Sequence, residues 1–488
     1  MEQINKDDIS ASRNDIWRQQ LRNNMSAKER TAIPRVEMPH LEPDYRVSCS
    51  EEVNCGLSVE QAVTEASRCM DCPDPQCVSG CPVSINIPGF IKNIQRGRVD
   101  IAAAVLRNTS SLPAVCGRVC PQEKQCESRC IYHKMHKQPV AIGYLERFAA
   151  DNAPIADAVA PTPNGIKIAV VGSGPAGLSF AGAMAQYGYD VTVYEALHEI
   201  GGVLKYGIPE FRLPNSVVDK EIHALQQSGV KFLRDCVIGK TLSYDDLHSL
   251  GYQGIFVASG AGLPRFMSIP GENLVNVMSS NEYLTRVNLM GAGSPMHDTP
   301  VAHGKCAAVI GGGNTAMDSC RTARRMGAEK VYVVYRRSEA EMPARVEEVI
   351  HAKEEGVEFL TLHNPIEYIG DDKGRVCAMR VQRMELGEPD ESGRRAPVPI
   401  EGAVEQIPVD MVIVSVGVSP NPIIPSSIPE LEISRRGTIV VNDCTMQSSI
   451  GDIYAGGDIV RGGATVILAM GDGRRAAQSM HEALSKQR

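Results

Sequence analysis

Short apolar runs separated by glycine-rich turns organise the chain from residue 167 onward. The runs IAVV, VTVY, IFVAS, AAVI, VYVVY and MVIVSV indicate buried strands. Segments of small and apolar residues with helical spacing follow several of them. This alternation predicts an α/β fold built on parallel sheets.

The first 150 residues have a different pattern. Ile16–Lys28 is compatible with a short helix, and a proline-punctuated extended arm follows it. Ser58 and Gln61 form a capping-box signature that opens a helix leading to Cys69. Ile87–Leu106 has helical periodicity throughout. We expect an arm and a small helical domain over residues 1–160, ending in a linker.

A dinucleotide fingerprint follows the first buried run. The glycines of G-S-G-P-A-G permit a tight turn and a close approach of the backbone to a pyrophosphate at the helix N-terminus. An acidic residue after the next strand can accept hydrogen bonds from ribose hydroxyls. The unit predicts a site for FAD or NAD formed by Gly172, Gly174, Pro175, Ala176, Gly177 and Glu195.

A second fingerprint, G-G-G-N-T-A, follows the strand AAVI. Two arginines stand after its next strand, where the first unit has Glu195. Arginine at this position suits the 2′-phosphate of NADPH, which an acidic residue would repel. The second unit predicts an NADPH site formed by Gly313, Asn314, Thr315, Ala316, Arg336 and Arg337, assisted by Arg345.

The motif I-Y-A-G-G-D near the C-terminus completes the pattern. After two dinucleotide units, it indicates a carboxylate at the ribityl chain of a flavin. The helix from Ala464 to Glu482 would bring its N-terminus close to the flavin ring. The predicted residues here are Gly457, Asp458 and Thr465. The NADPH unit (296–415) is thus an insertion between two parts of the FAD domain (161–295 and 416–488).

Eight of the fifteen cysteines lie between Cys69 and Cys130, in two groups of four. Their spacings are C-x2-C-x4-C-x3-C and C-x3-C-x5-C-x3-C, and one cysteine of each group precedes a proline. Such spacings are typical of iron–sulfur clusters, and ferredoxins with two clusters exchange a ligand between groups. Structural zinc, with His133 or His136 nearby, is the alternative, although the x3 and x5 spacings suit zinc less well.

Composition excludes several other classes. A net charge of −8 and a single tryptophan argue against nucleic acid as a partner. No apolar run reaches the roughly 18 residues of a membrane span, and the N-terminus lacks the apolar core of a signal peptide. We therefore expect a cytoplasmic protein with no membrane contact and with cysteines that are reduced rather than paired in disulfides.

Together these motifs resemble a known family over nearly the whole chain after residue 35. The chain is similar to the small (β) subunit of bacterial glutamate synthase and to the large subunit of the electron-bifurcating NADH-dependent ferredoxin:NADP oxidoreductase. The N-terminal half of dihydropyrimidine dehydrogenase is a more distant likeness. The motifs that carry the resemblance are R-C-M-D-C, L-P-A-V-C-G-R-V-C-P-Q-E-K-Q-C-E, A-I-G-Y-L-E-R-F, V-G-S-G-P-A-G-L, G-G-G-N-T-A-M-D and A-G-G-D.

The resemblance implies the fold and the cofactors. It implies a glutathione-reductase-like flavoprotein, with an NADPH domain inserted in the FAD domain, behind an α-helical domain with two [4Fe-4S] clusters. One cluster would take Cys69, Cys72, Cys77 and Cys130, and the other Cys81, Cys120, Cys126 and Glu146. Spacing alone would give Cys116 the place of Glu146. Family position adds Gly202, Val203, Arg212 and Gly260 near FAD and Gly417 near NADPH.

The implied activity is electron transfer between NADPH, FAD and the clusters, with no catalytic side chain. The expected partner is a large glutamate synthase subunit, which would form glutamate from glutamine and 2-oxoglutarate. A small flavin/iron–sulfur subunit, together with ferredoxin, is the alternative. A disulfide reductase is disfavoured because the remaining cysteines, among them Cys236 and Cys320, form no C-x-x-C pair. A non-catalytic metal-bound scaffold is the outside alternative.

Overall fold

The computed structural model describes residues 9–153, 161–294, 296–391 and 393–486. Its N-terminal part is helical, and short 3-10 turns at Gln122–Lys124, Glu127–Arg129 and Ile131–Met135 flank Cys126 and Cys130 of the second cysteine group. The helices of this part are α1 (Ile16–Asn23), α2 (Ala27–Ala32), α3 (Pro43–Arg46), α4 (Val59–Arg68), α5 (Gln76–Ser79), α6 (Ile87–Gln95), α7 (Val99–Arg107), α8 (Pro113–Val119) and α9 (Ile142–Asn152).

Local sequence explains the boundaries of these helices. The capping box predicted at the start of α4 is present, because the Ser58 and Gln61 side chains each accept from the other's backbone N–H. The helical periodicity predicted over Ile87–Leu106 corresponds to two helices, α6 and α7. Gly97 lies between them with a φ of +77°, a left-handed conformation that ends a helix. Apolar side chains of both helices fill the core of the domain.

The N-terminal arm packs across the molecule. Arg18 and Arg22 form ion pairs with the buried carboxylate of Asp71, inside the first cysteine group. Farther along, Arg46 reaches Glu354 and Glu355 of the second dinucleotide unit. The described part of the arm therefore ties the cysteine domain to that unit.

The remaining strands and helices form the α/β part. The strands are β1 (Lys167–Val171), β2 (Asp190–Tyr194), β3 (Lys231–Leu233), β4 (Tyr252–Val257), β5 (Leu263–Pro264), β6 (Val277–Ser279), β7 (Cys306–Ile310), β8 (Lys330–Tyr335), β9 (Glu358–Thr361), β10 (His363–Gly370), β11 (Val376–Pro389), β12 (Arg395–Pro408), β13 (Met411–Val414), β14 (Val418–Ser419) and β15 (Ile453–Ala455). The helices are α10 (Pro175–Gln186), α11 (Val203–Tyr206), α12 (Asn215–Gln227), α13 (Tyr244–Ser249), α14 (Ser280–Leu284), α15 (Asn314–Arg325), α16 (Val346–Glu354), α17 (Ile423–Ser427), α18 (Asp458–Arg461) and α19 (Val466–Ser485).

Two parallel sheets carry the two fingerprints. The first has the order β15-β4-β1-β2-β3 and the second β6-β13-β7-β8-β9. Because β15 pairs with β4, the chain leaves the first sheet after β4 and returns to it at the end. The two crossing segments pair with each other as β5 and β14. The second unit is therefore inserted in the first.

Strand pairing shifts one predicted division. β6 pairs with β13 and so belongs to the second sheet, although it precedes residue 295. A division at 295–296 thus falls inside the second unit, and the crossing lies at β5. The short β6 follows a turn-rich stretch without a long apolar run, which is why the sequence pattern did not reveal it.

A third sheet was not predicted. β10, β11 and β12 form an antiparallel sheet beside the second unit, and β11 and β12 make a long hairpin. Val376, Met379 and Val381 of β11 are buried in one cluster with side chains of the second sheet. β12 is mostly exposed.

Buried ion pairs fix the second unit against its neighbours. Glu355, which follows α16, receives Arg321 and Arg325 from α15 at 2.7 Å each and Arg46 from the arm at 3.1 Å. Arg212, from the first unit, lies 3.0 Å from Asp318 on α15. These charges lie away from solvent, so each side depends on the other for compensation.

We expect Glu355→Gln to destabilise the protein by about 3–5 kcal/mol, because it leaves three buried arginines without their shared carboxylate. The matched control is Glu358→Gln, whose partner Lys330 is exposed and whose ion pair should contribute nothing measurable. Urea unfolding of both variants measures the difference. Equal free energies of unfolding for the two variants would show that the buried network does not stabilise the fold.

Candidate functional site

A cavity of about 1760 Å³ lies at the carboxyl ends of the strands of both parallel sheets. This is where open α/β sheets bind dinucleotides. Most of the predicted cofactor residues line it: Gly172, Gly174, Pro175, Ala176, Glu195, Gly202, Val203, Arg212, Gly260, Gly313, Asn314, Thr315, Arg336, Arg337, Gly417, Gly457, Asp458 and Thr465. Gly177, Ala316 and Arg345 do not line it.

The first fingerprint has the shape that a pyrophosphate needs. Gly172 has a φ of +101°, and a Cβ there would lie 2.5 Å from the Ala258 carbonyl oxygen. A Cβ on Gly177 would lie 2.0 Å from the Gly172 carbonyl oxygen, so this glycine serves helix–strand packing rather than the cavity. A Cβ on Gly174 would meet nothing within 4 Å. Open space therefore faces the N-terminus of α10, and the loop fits FAD.

Glu195 is held in position by hydrogen bonds within the protein. Its carboxylate accepts from the backbone N–H groups of Ser173 and Leu197, at 2.9 Å each, and from the Ser173 hydroxyl. The Ser173 hydroxyl in turn accepts from the N–H of Gly201 at 2.9 Å. Sequence reasoning missed Ser173, although it stands inside the G-S-G turn. Its hydrogen bonds join the fingerprint, the acidic residue and the Gly201–Gly202 turn.

A second missed residue supports the turn that carries Asp458. Asp472 is buried in α19, accepts from the Gly457 N–H at 3.1 Å and pairs with Arg461 at 2.6 Å. Burial raises the pKa of Asp458 to about 6, and Asp472 adds to the rise. The signal was an aspartate between two glycines on a helix of small residues, M-G-D-G-R.

The two arginines of the second unit have different environments. Arg336 is exposed and lines the cavity. Arg337 is buried, and its Nε donates to the Arg395 carbonyl oxygen at 2.8 Å, while its guanidinium pairs with Asp390 of the β11–β12 hairpin. Arg336 therefore has its charge available for a 2′-phosphate, whereas that of Arg337 is partly neutralised.

Arg345 requires a correction. It was expected to assist the phosphate contact, but its side chain points away from the cavity into the cysteine domain. Its guanidinium donates to Gln122 Oε1 at 3.1 Å and to the Arg118 carbonyl oxygen, and it pairs with Glu347 at 2.8 Å. Sequence proximity to the second fingerprint did not reveal that the chain touches another domain here.

Four cysteines meet near the surface of the helical domain. Cys69, Cys72, Cys77 and Cys130 line one small cavity with Ile87, Ile91 and Tyr132. Burial, and then the neighbouring Cys69 and Cys130, raise the pKa of the Cys72 thiol to about 11. The cavity thus brings together three cysteines of the first group and one of the second, and the ligand set stays a prediction. We call these four residues the outer cysteines.

A second group of three cysteines and one glutamate meets deeper in the helical domain. Burial, followed by the charges of Glu127, Glu146, Cys120 and Cys81, raises the pKa of the Cys126 thiol. Glu146 on α9 is 6 % exposed, and its buried Oε1 has no hydrogen-bond partner. Burial raises the pKa of Glu146 to about 8. An unpartnered buried carboxylate beside three thiols fits an oxygen ligand to a cluster. We call Cys81, Cys120, Cys126 and Glu146 the inner ligands.

Cys116 lies next to the inner ligands and contacts the flavin unit. Its thiol donates to the sulfur of Met470 at 3.5 Å, on α19. Val119, which precedes Cys120, lines the large cavity, and the N-terminal end of α19 lines it as well. The inner ligands are therefore the group adjacent to the cavity. Three outer cysteines, Cys72, Cys77 and Cys130, are partly exposed.

Zinc is the alternative metal for these cysteines. Zn–S bonds of about 2.3 Å bring the donors of a tetrahedral site close together. In the described ranges, no three His, Cys, Asp or Glu side chains form a group that could hold a single metal ion.

No helix in the same ranges is long and apolar enough to span a bilayer.

Comparison with known proteins gives the same division of the chain. Residues 46–157 match the family described as dihydropyrimidine dehydrogenase domain II, 4Fe-4S cluster, and residues 166–479 match the pyridine nucleotide-disulphide oxidoreductase family. The glutamate synthase [NADPH] small chain of Azospirillum brasilense is 38 % identical over 88 % of this chain and 90 % of its own length. The chain belongs to the glutamate synthase small-chain family.

Other relatives show how widely this architecture is used. The NADP(+)-dependent formate dehydrogenase subunit beta of Moorella thermoacetica is 36 % identical over 84 % of this chain and 60 % of its own length. The structure of Mycobacterium tuberculosis FprA in complex with NADPH shares the fold, with a TM-score of 0.55 and 20 % identity, over 66 % of this chain and 85 % of that one. Family membership confirms the predicted fold class and an FAD- and NADPH-linked oxidoreductase with a 4Fe-4S domain.

The role of Cys116 can be separated from that of the inner ligands by metal analysis. We expect Cys126→Ala, prepared without oxygen, to lose about half of the iron and acid-labile sulfide, because one of two clusters loses a ligand. Cys116→Ala should keep the wild-type content. Loss of iron from Cys116→Ala with retention in Cys126→Ala would exchange their assignments.

Proposed function

We propose that this chain is the electron-input subunit of a glutamate synthase, which takes electrons from NADPH and delivers them singly to a large partner subunit. The observation that carries the proposal is the order of sites: the second fingerprint, the first fingerprint, the inner ligands, the outer cysteines and then the surface. When bound, the flavin exchanges electron pairs with NADPH and single electrons with the clusters.

The chain's own residues bind and orient these groups. Gly174 and Glu195 hold the first dinucleotide, and Asp458 faces the same cavity. Asn314 and Arg336 hold the second one at the other side of the cavity. Val119, next to Cys120, lines the cavity, and Met470 contacts Cys116 beside the inner ligands, so apolar side chains lie on the cavity side of these ligands. No side-chain acid, base or nucleophile is needed.

A basic surface surrounds the outer cysteines. Arg129, His133, Lys134, His136 and Lys137 are exposed there, together with Ile131 and Met135, which are 40 % and 37 % exposed. We call these seven residues the outlet patch. Arg129 and Lys134 line the cavity of the outer cysteines, with Asp74 as an acidic neighbour. On a chain of net charge −8, this patch favours a partner with an acidic face.

The same surface also suits a small acidic carrier, which supports a second candidate: a ferredoxin-linked NADPH oxidoreductase. Two anaerobic assays separate the candidates. Glutamate formation from glutamine and 2-oxoglutarate, with a co-purified large subunit, supports the first. NADPH-dependent reduction of ferredoxin by the chain without glutamate formation in the complex supports the second.

Arg336→Leu should lower kcat/KM for NADPH about 10- to 100-fold, because it removes a charge-assisted contact with the 2′-phosphate. Reduction of a dye acceptor with NADPH and with NADH measures this, and kcat/KM for NADH should change little. Arg337→Leu should have the smaller effect on the NADPH/NADH ratio. An unchanged ratio in Arg336→Leu would remove this residue from the phosphate site.

Charge reversal tests the outlet patch. We expect Lys134→Glu to slow reduction of an acidic protein acceptor about tenfold at low ionic strength and to weaken its salt dependence. Reduction of a small neutral dye should not change. The matched control is Lys240→Glu, an exposed lysine of the flavin unit. Equal effects of the two substitutions would mean that the acceptor docks elsewhere.

A further inference from the structure

The segment Pro343–Arg345 of the second unit contacts two other segments. One is the loop of the second fingerprint, and the other is the part of the cysteine domain around Cys116 and Cys120. In Pro343–Arg345, the Arg345 N–H donates to Asn314 Oδ1 at 2.9 Å, and the Ala344 N–H donates to the Gly312 carbonyl oxygen at 3.2 Å. Pro343 itself lines the large cavity. Because Asn314 Oδ1 is engaged by Arg345, the amide NH₂ of Asn314 is left as the donor for an anion at this loop.

The other side of this segment enters the cysteine domain. Lys124 Nζ donates to the carbonyl oxygens of Pro343 and Ala344, at 2.9 and 3.1 Å. The Arg345 guanidinium donates to Gln122 Oε1, and the Gln122 side-chain amide donates to the Cys116 carbonyl oxygen at 3.3 Å. The Gln122 N–H also donates to the Cys120 carbonyl oxygen at 2.9 Å.

Gln122 connects Arg345 to the fourth inner ligand as well. A Cβ on Gly143 would lie 2.2 Å from Gln122 Nε2, so Gln122 packs tightly against α9, the helix that carries Glu146. Contacts through one glutamine therefore reach Cys120, directly after α8, and the helix α9 that carries Glu146. A shift of Arg345 cannot leave this packing unchanged.

Arg345 carries its charge into this site. The Arg345 side chain is only 5 % exposed. Burial acts to lower the pKa of the guanidinium, but the carboxylates of Glu347 and Glu123 act more strongly and raise it overall. The guanidinium therefore stays protonated. Gln122, which accepts from this guanidinium, also donates its backbone N–H to the Cys120 carbonyl oxygen, so the charge lies close to this cysteine. A nearby cation stabilises the reduced, more negative state of a cluster.

We propose that Arg345 is a positioning residue that couples occupancy of the NADP(H) loop to the inner cluster. Nucleotide bound at Asn314 holds Pro343–Arg345 in place, and Arg345 then favours reduction of the cluster at Cys120. By linkage, reduction of the cluster tightens nucleotide binding by the same factor. The inference rests on the proposed function, since it requires NADP(H) at the second fingerprint and a cluster at the inner ligands.

The test uses anaerobic holoprotein and 1,4,5,6-tetrahydro-NADP, an analogue that has no hydride to transfer. Calorimetry should show that dithionite-reduced wild-type protein binds the analogue about fivefold or more tightly than oxidised protein. Redox titration followed by EPR should show an upward shift of the inner-cluster potential when the analogue is present. Both effects should disappear in Arg345→Met and return in part in Arg345→Lys.

Two further variants separate coupling from folding. Lys124→Ala removes the exposed anchor of the same segment and should reduce the redox-dependent difference in affinity. Arg46→Met is the matched control: Arg46 is also a buried arginine that joins two parts of the chain, but its ion pairs are with Glu354 and Glu355. It should retain the full difference.

The possible results distinguish the coupling, the proposed function and the role of Arg345. No redox-dependent affinity in wild type, or the same dependence in Arg345→Met, overturns the coupling while leaving the proposed function intact. Failure of the analogue to bind in either state, or an iron content of one cluster, overturns the proposed function and the coupling with it. Loss of the dependence in Arg46→Met as well would assign it to general domain docking and overturn the role of Arg345.

Discussion

The arrangement depends on buried arginines that cross between parts of the chain. Arg46 reaches from the arm, Arg212 from the flavin unit and Arg345 from the NADPH unit, and each meets carboxylates or carbonyl groups of another part. Phe211 also lies beneath Arg321 and Arg325, with its ring centroid 4.7 and 3.9 Å from their guanidinium carbons. Such contacts are costly to break singly, so the sites keep fixed relative positions. Electron transfer between cofactors needs that constancy.

The inner ligands are on the whole more buried than the outer cysteines, and this difference gives the electron path a direction from the cavity to the surface. Three inner ligands are buried and only Cys81 is partly exposed, whereas three outer cysteines are partly exposed beneath basic and apolar side chains and only Cys69 is buried. The carboxylate of Glu146 makes the inner set chemically different from the outer four thiols. Ligand type and buried charge both tune cluster potential, so the two sites are built to differ.

Sequence patterns were sufficient where local chemistry demands particular residues. The turns at Gly172 and Gly311 need glycine because a Cβ would collide with a backbone oxygen, and the cysteine spacings reflect the reach of thiolates. The positions of Arg345 and Arg337 could not be read in this way. Their partners, Gln122 and Asp390, are distant in sequence and are brought close only by packing.

The missed sheet has a related cause. β11 and β12 alternate weakly and contain glycine and proline, so their pairing depends on each other and on the second sheet rather than on a local signal. The unpredicted break at Gly97 is the opposite case. There a single left-handed residue overrides a continuous helical pattern.

The central claim is that electrons leave through the outer cysteines after passing the inner ligands. Cys77→Ala, prepared anaerobically and mixed rapidly with NADPH, tests it most directly, because it disables the outer site alone. We expect NADPH still to bleach the flavin at the wild-type rate and the inner-cluster EPR signal still to appear, while reduction of the protein acceptor is lost. Acceptor reduction at the wild-type rate would contradict the account.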